Sequence, residues 1–404
     1  MKILSITAQK PSSTGSGVYL TELVKAFSKQ GHKQAVIAGI TKDDDVCFPE
    51  GVLFEPVYFD TEELPFHICG MSDEMPYPST RYCDMTDSMV QQFEEAFLTR
   101  IRKVLEVFQP DLLISHHLYL LTALLRENFP ELTIGAFCHN TDLRQLARHD
   151  LKKAFILENI RKLDRVYALQ EAQKQEIMKV FGLPADRITI VGAGYDAELF
   201  YPPSEGKKVN GPAEILYAGK IAEKKGIACL MRCLSSMKTP PEDVTICLAG
   251  GAGDQTEYEE IRKLADESVY SVRFLGKLDR QSMAAAMREA DVFVLPSFYE
   301  GLPLSVVEAL ASGLKVVVTD LPGLREYYSE NIPGAWIRYV EPPAMEYADE
   351  PDRKALPAFE KRLAEALDEA VQAPKTAPAD ASRISFGGIA ARVLKASGVQ
   401  PAGN

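Results

Sequence analysis

Two carboxylates, a group of lysines and three histidines are the residues of this chain whose types and spacing fit chemistry. Glu300 and Glu308 lie in Pro296-Ser297-Phe298-Tyr299-Glu300-Gly301-Leu302-Pro303-Leu304-Ser305-Val306-Val307-Glu308. The apolar run 292–296 predicts a buried strand, Gly301 and Pro303 a turn, and Val306, Val307, Leu310 and Ala311 one face of a helix. Glu300 is therefore expected on the loop at the carboxyl end of a strand, where open α/β sheets bind ligands, and Glu308 in the first helical turns. The helix start offers backbone N–H groups and the positive end of a dipole to an anion such as a phosphate. One acid then faces hydroxyls on one side of the anion and the second acid those on the other. A ligand-free alternative competes, because Ser305 and Glu308 have the spacing of a capping box.

The cations follow the same logic. Lys220 succeeds a predicted strand at 215–219, and Lys224-Lys225-Gly226 sits at a helix start. Gly250, Gly251 and Gly253, then Gly276, then Gly323 follow further strands at the same edge, so backbone is expected to approach something closely there. Lysines flanking such a helix start are expected to meet phosphate oxygens. In the first half, strand 2–8 leads through Gly15, Ser16 and Gly17 into a helix with Leu20, Leu23, Val24 and Phe27 on one face. That order also presents N–H groups to a phosphate, although a plain tight turn needs no ligand. The third glycine of a dinucleotide fingerprint is missing, which disfavours an NAD-dependent dehydrogenase. His116, His117 and His139 fall just past the ends of strands 111–115 and 133–137, a clustering that points to a site.

The elements that must position these residues form two alternating β/α halves. At 404 residues the chain exceeds the usual single core. The Pro- and Gly-rich stretch 202–208 reads as the linker, giving domains 1–205 and 206–382. A terminal helix within 383–398, apolar at Ile389, Val393 and Leu394, must dock on an existing surface. Residues 41–88 read as a long irregular segment able to wall an acceptor pocket. Its Asp43-Asp44-Asp45 run is read as solvated rather than metal-binding. The basic segment 144–165 is a solvated face by default, with an anionic acceptor or peripheral membrane contact as the alternative. Forty-five basic against 57 acidic residues, a net charge of −12, argues against nucleic acid as the partner. The seven cysteines lack metal-ligand spacing and read as buried free thiols of a reducing compartment. A strand starting near Lys2 leaves no room for a signal peptide, and no apolar run approaches the ~18 residues of a membrane span. A cytoplasmic location, peripheral at the inner membrane face if the basic segment is used, is the expectation.

With these pieces in place the chain resembles the retaining glycosyltransferases of family GT4. The opening Gly15-Ser16-Gly17 helix with Gly31-His32, the Cys138-His139-Asn140-Thr141-Asp142 corner and Tyr217-Ala218-Gly219-Lys220 with Lys224-Lys225-Gly226 are similar to family motifs. The run from Pro296 through Glu300 and Glu308 to Gly313 resembles the Glu-x7-Glu signature nearly residue by residue. Lys220 stands for the usual Arg, so a bidentate contact becomes a point charge; Ser16 and Asn140 stand for glycines.

The resemblance implies an α/β GT-B fold, two Rossmann-like domains facing across a cleft, with the terminal helix crossing back to the N-terminal domain. It implies a hexosyltransferase moving a sugar from a nucleotide-diphosphate sugar, UDP-linked by family habit, to an acceptor hydroxyl in cell-envelope glycan or glycolipid synthesis. Lys220 and Lys225 would bind the diphosphate, Glu300 the sugar hydroxyls and Glu308 the ribose. Backbone at Gly301, Leu302, Pro303 and Leu304, at Gly276, and at Gly15, Ser16 and Gly17 would meet the donor, and His139 would face its sugar. His139, Lys225 and Glu300 are thus the expected catalytic residues. No metal is expected, lysines filling that role, and the protein is expected as a monomer or homodimer. A non-catalytic nucleotide-sugar-binding protein and an epimerase or phosphorylase of the same fold stay open.

Overall fold

The computed structural model describes residues 1–72, 75–203, 211–252, 254–347, 350–374 and 377–399. The chain divides into two compact units, Met1–Gly192 with Phe386–Asn404, and Ala193–Ser385.

Unit 1 holds a parallel sheet of β1 (Lys2–Thr7), β2 (Lys33–Ile40), β3 (Leu53–Tyr58), β6 (Leu112–His116), β7 (Ile134–Phe137), β8 (Arg165–Ala168) and β9 (Ile188–Ile190), ordered β3-β2-β1-β6-β7-β8-β9. The short pair β4 (Cys69–Gly70) and β5 (Thr80–Arg81) lies apart from it. Ile3, Leu4 and Ile6 of β1 are all fully buried, as a parallel strand covered by helices on both faces requires. The chain runs outward from β1 to β3 and then returns to place β6 on the other side of β1. Such a reversal opens a crevice at the carboxyl ends of the two central strands. Gly15, Ser16 and Gly17 follow β1, and His116 and His117 end β6.

Unit 2 repeats the device with β10 (Ala213–Ala218), β11 (Val244–Ala249), β12 (Ser271–Gly276), β13 (Val292–Leu295), β14 (Lys315–Thr319) and β15 (Ile337–Val340), ordered β12-β11-β10-β13-β14-β15. Its reversal lies between β10 and β13. Lys220 and Lys225 follow the first of these strands and Glu300 the second.

Three expectations need correction. Residues 41–88 are not irregular throughout: β3 pairs with β2 in parallel from Ala35–Leu53 to Ile40–Tyr58. Pro56 and Glu55 hide the strand from a periodicity search, and proline is tolerated there because β3 is an edge strand. The remainder buries Leu64, Phe66, Ile68, Met71, Tyr82 and Met85 in the same core as Phe93 and Phe97. Second, the domain boundary falls at 192/193 rather than 205/206. Packing decides it: Phe200 is buried, Arg288 donates to the Leu199 carbonyl at 2.9 Å, and the Ala193 N–H donates to Tyr327 at 3.3 Å, all in unit 2. Residues 204–210 of the expected linker lie outside the described residues. Third, Cys47 and Cys83 are exposed, while Cys69, Cys138, Cys229, Cys233 and Cys247 are buried.

The terminal helix Phe386–Ser397 packs on helix Gly15–Lys29 of unit 1. Phe386, Ile389, Ala390 and Val393 share one buried cluster with Tyr19, Leu23, Phe27, Phe137 and Tyr167. Gln30 adds a side-chain hydrogen bond to the Gly387 carbonyl at 2.9 Å. Among the described residues no helix is long and apolar enough to cross a membrane.

Truncating Phe386 to Ala removes a ring from this cluster and leaves a cavity. The expected loss is about 3–5 kcal/mol of unfolding free energy, read from the shift of the unit 1 transition in urea.

Candidate functional site

In unit 2 the geometry starts from a glycine. Gly226 has φ +71°, and a Cβ there would lie 2.1 Å from the Pro296 carbonyl oxygen. Only a residue without a side chain lets the 224–226 loop lie against the exit of β13. The Phe298 N–H donates to the Lys224 carbonyl at 3.2 Å and ties the two segments together. Lys225 is thereby delivered to Glu300, Nζ to Oε1 at 2.7 Å, with side chains 24% and 16% exposed. Lys220 is exposed one residue beyond Gly219, on a loop held by the Tyr217 hydroxyl donating to the Lys220 carbonyl at 2.6 Å.

Helix Leu304–Ala311 begins after Pro303, and no side chain caps it. Ser305 and Glu308 both lie within the helix, so the capping box is not formed. The Val306 and Val307 N–H groups donate to the Pro303 carbonyl at 3.2 and 3.4 Å, which leaves those of Leu304 and Ser305 for another acceptor. Pro303 itself contributes no N–H.

Gly250 serves the sheet. A Cβ on Gly250 would meet the Gly219 carbonyl at 1.8 Å, and the Gly250 N–H donates to the Gly276 carbonyl at 2.8 Å. What approaches Gly226 and Gly250 is a neighbouring strand end. A separate cavity of about 610 Å³ is lined by Glu223, Lys224, Phe298 and Arg353 among others; acids outnumber bases along it five to three, which does not suit a diphosphate.

In unit 1 one polar chain joins three strand ends. Ser16 Oγ donates to Gln9 Oε1 at 3.0 Å, and that oxygen lies 3.3 Å from His117 Nε2. His117 Nδ1 meets Asp142 Oδ1 at 2.6 Å, and the other carboxylate oxygen accepts the His139 N–H at 2.6 Å. His116 Nδ1 lies 3.0 Å from His139 Nε2. Gln9, His116, His117 and Asp142 are buried, while His139 is partly exposed. Burial disfavours the charged form of Asp142, but the His117 charge and hydrogen bond outweigh it and hold the carboxyl below its usual range. Burial lowers both His116 and His139, the latter to about 3, so both rings are neutral at pH 7.

His117 and Asn140 take φ +75° and +73°, a left-handed region non-glycine residues rarely adopt. Asparagine is among the side chains that tolerate it. Gly17 is required for a different reason. A Cβ would lie 2.4 Å from the Lys10 carbonyl, and the Gly17 N–H is taken by Thr14 Oγ1 at 3.2 Å.

The sequence pointed to His139 but assigned no role to Gln9, His116 or Asp142. Asp142 had a signal in its position three residues after His139. Gln9 had none. The basic segment is largely partnered within unit 1: Lys153 pairs with Asp150, Lys162 with Glu158, and Arg161 and Arg165 with the carbonyls of Phe181 and Asp186. Asp44 accepts from Thr41 and from Lys10, which closes the loop.

Comparison with known proteins places this geometry. Residues 13–199 match the family described as Glycosyltransferase Family 4, and residues 212–349 match Glycosyl transferases group 1. The chain carries a family 4 glycosyltransferase domain followed by a group 1 glycosyltransferase domain. It is 30% identical over 167 residues to a glycogen synthase of Mycobacterium tuberculosis, covering 41% of this chain and 40% of that one. The chain thus matches well under half the length of that relative. Its fold is that of a sucrose-phosphate synthase from Thermosynechococcus elongatus, with TM-score 0.65, 18% identity and 98% of each chain covered. An E. coli trehalose-6-phosphate structure bound with UDP-2-fluoro glucose gives TM-score 0.65 at 13% identity over 100% of both chains. These neighbours establish two parallel-sheet α/β domains of GT-B type.

Because His116 and His139 are neutral when folded but titrate near 6.5 when unfolded, the unfolded chain binds more protons below that pH. Their contribution is fully present above about pH 6.5 and is lost as pH falls from there toward 3, at about 1.4 kcal/mol per pH unit for each ring. Urea unfolding of unit 1 between pH 7 and 5 should show this slope, reduced by one ring's share in His116→Leu.

Proposed function

We propose that this chain is a retaining glycosyltransferase that moves a sugar from a nucleotide-diphosphate sugar to an acceptor hydroxyl. The observation that carries it is the Lys225–Glu300 pair, 2.7 Å apart at the sheet reversal beside a helix start with no side-chain cap. Lys225 and Lys220 take the diphosphate, with the N–H groups of Gly301, Leu302 and Leu304 and the chain near Gly276 around it. Glu300 accepts from hydroxyls of the transferred sugar and Glu308 from the ribose. For unit 1 the proposed roles are a sugar contact at His139 and phosphate contacts at the Gly15, Ser16 and Gly17 turn, where the Gly17 N–H is already held by Thr14 Oγ1. The two glycosyltransferase domain matches support these roles, and the neighbour bound with UDP-2-fluoro glucose supports a uridine donor.

The chemistry follows from where charge develops. Breaking the sugar–phosphate bond puts negative charge on the diphosphate and positive character on the anomeric carbon. Cations and N–H dipoles already fixed around the leaving group stabilise that state without reorganising during the step. Lysines supply the positive charge that a divalent ion supplies in other transferases. The acceptor belongs to a cytoplasmic reaction that builds an envelope glycan or glycolipid, and peripheral contact through segment 144–165 is part of the proposal.

Thermal unfolding against a panel of nucleoside diphosphates and their sugars tests this. A matching ligand at about 100 times its Kd should stabilise by about 2.7 kcal/mol, and Lys225→Ala and Glu308→Ala should abolish the shift. No shift with any nucleotide sugar would sink the assignment.

Glu300→Gln separates sugar recognition from phosphate binding. Removing the carboxylate frees the Lys225 ammonium, so a bare nucleoside diphosphate should bind on the order of tenfold tighter while the advantage of the attached sugar shrinks. Titration calorimetry with both ligands reads the two effects.

A further inference from the structure

The rings of His116 and His139 are inclined by only 12°, with centroids 5.2 Å apart and nitrogens 3.0 Å apart. Two imidazoles give those values together when joined edge to edge in nearly one plane, so the contact lies along a nitrogen lone pair. Only Nδ1 of His139 then remains to face a ligand, and it has no hydrogen-bond partner among the described residues.

The direction of that bond is fixed at its far end. His116 is buried, lies near-parallel to Phe137 at 5.1 Å and meets the Tyr19 ring edge-on at 6.4 Å. Its Nε2 has no partner among the described residues. A neutral imidazole carries one N–H. Placed on His116 Nε2, that proton would be an enclosed donor with no hydrogen-bond partner among the described residues, and orphaned buried donors are rarer than under-satisfied acceptors. Placed on Nδ1, it is satisfied by His139. Both rings are held neutral by burial, which removes the doubly protonated forms.

We propose that His116 is a positioning residue that donates from Nδ1 to His139 Nε2 and locks His139 as the Nδ1–H tautomer. His139 then presents a fixed N–H donor to an oxygen, and, resting on the sugar-facing role proposed above, that oxygen is a hydroxyl or ring oxygen of the transferred sugar. The same lock removes His139 as a general base. Its Nδ1 already holds a proton, and its Nε2 lone pair is taken by His116.

Nitrogen-15 NMR of the histidine-labelled protein without ligand tests the lock, because the two neutral tautomers differ in their ring nitrogen shifts. The expected spectrum shows His139 protonated at Nδ1 across pH 5–8 in wild type and in His116→Asn, whose amide can donate in place of the ring. In His116→Leu the His139 signal should move toward a mixture of tautomers. Transfer or donor hydrolysis should fall on the order of 10–100-fold in kcat/KM in the Leu variant and recover in the Asn variant. An Nε2–H or doubly protonated His139 in wild type overturns the proposal, as does a His116→Leu spectrum identical to wild type. Should the Leu variant fail to fold, wild type and Asn decide it alone. An Nδ1–H tautomer in a protein that binds no nucleotide sugar upholds the lock and rejects the glycosyltransferase assignment instead.

Discussion

A backbone position with no side chain holds unit 2's site together. Gly226 lets the 224–226 loop lie on the Pro296 carbonyl, and from that contact Lys225 reaches Glu300. Cause and effect can be ordered by magnitude. A partly exposed ion pair is worth about 1 kcal/mol or less, whereas a Cβ forced to 2.1 Å from a carbonyl oxygen cannot be accommodated without moving backbone. The ion pair is therefore a consequence of the packing and contributes little to it. That suits a group meant to change partners: a weakly held ammonium can turn to a phosphate without unfolding its loop.

Unit 1 solves a different problem with the same topology. Its strand ends carry one buried carboxylate and three imidazoles, and two of those rings are kept neutral. Two non-glycine residues at positive φ, each costing about 1–3 kcal/mol, hold His117 and the chain after His139 in place. Bonds from Asp142 to His117 and to the His139 backbone offset that cost, at about 1.5–3 kcal/mol for each charge-assisted contact. Removing Asp142 would leave the strain without its compensation.

How much of this was legible in the sequence depends on the range of the interaction. Central strands announced themselves through uninterrupted apolar runs, and the Lys225, Glu300 and His139 positions through their place at strand ends. β3 was hidden because an edge strand needs one buried neighbour only and tolerates Pro56. The boundary at 192/193 was hidden because the Pro- and Gly-rich stretch 202–208 has the composition of a linker, whereas the segment before it already belongs to unit 2 and buries Phe200. Gln9 and His116 matter through partners 108 and 23 residues away, and no local pattern encodes such a contact. The strand-end glycines misled in an instructive way: at Gly226 and Gly250 the approaching group is backbone, at Gly219 and Gly251 it is the side chain of Tyr217 or Lys277, and beside Gly276 there is open space.

In the proposed unit 2 site the acids, rather than the lysines, make the difference from an ordinary phosphate cradle. Lysines and a helix N-terminus suffice to hold an anion. Carboxylates at Glu300 and Glu308 repel one, and in a partly desolvated crevice that repulsion is stronger than in water. Two acids beside an anion site are tolerable only if donors stand between them and the phosphate. Hydroxyl groups are such donors, and a ligand carrying them on both flanks of a diphosphate turns each repulsion into a charged hydrogen bond. A bare phosphate has no such groups and meets the acids unshielded. Under the roles proposed for Glu300 and Glu308, selectivity for a polyhydroxylated diphosphate would follow from the sign of the charges, before any shape complementarity is considered.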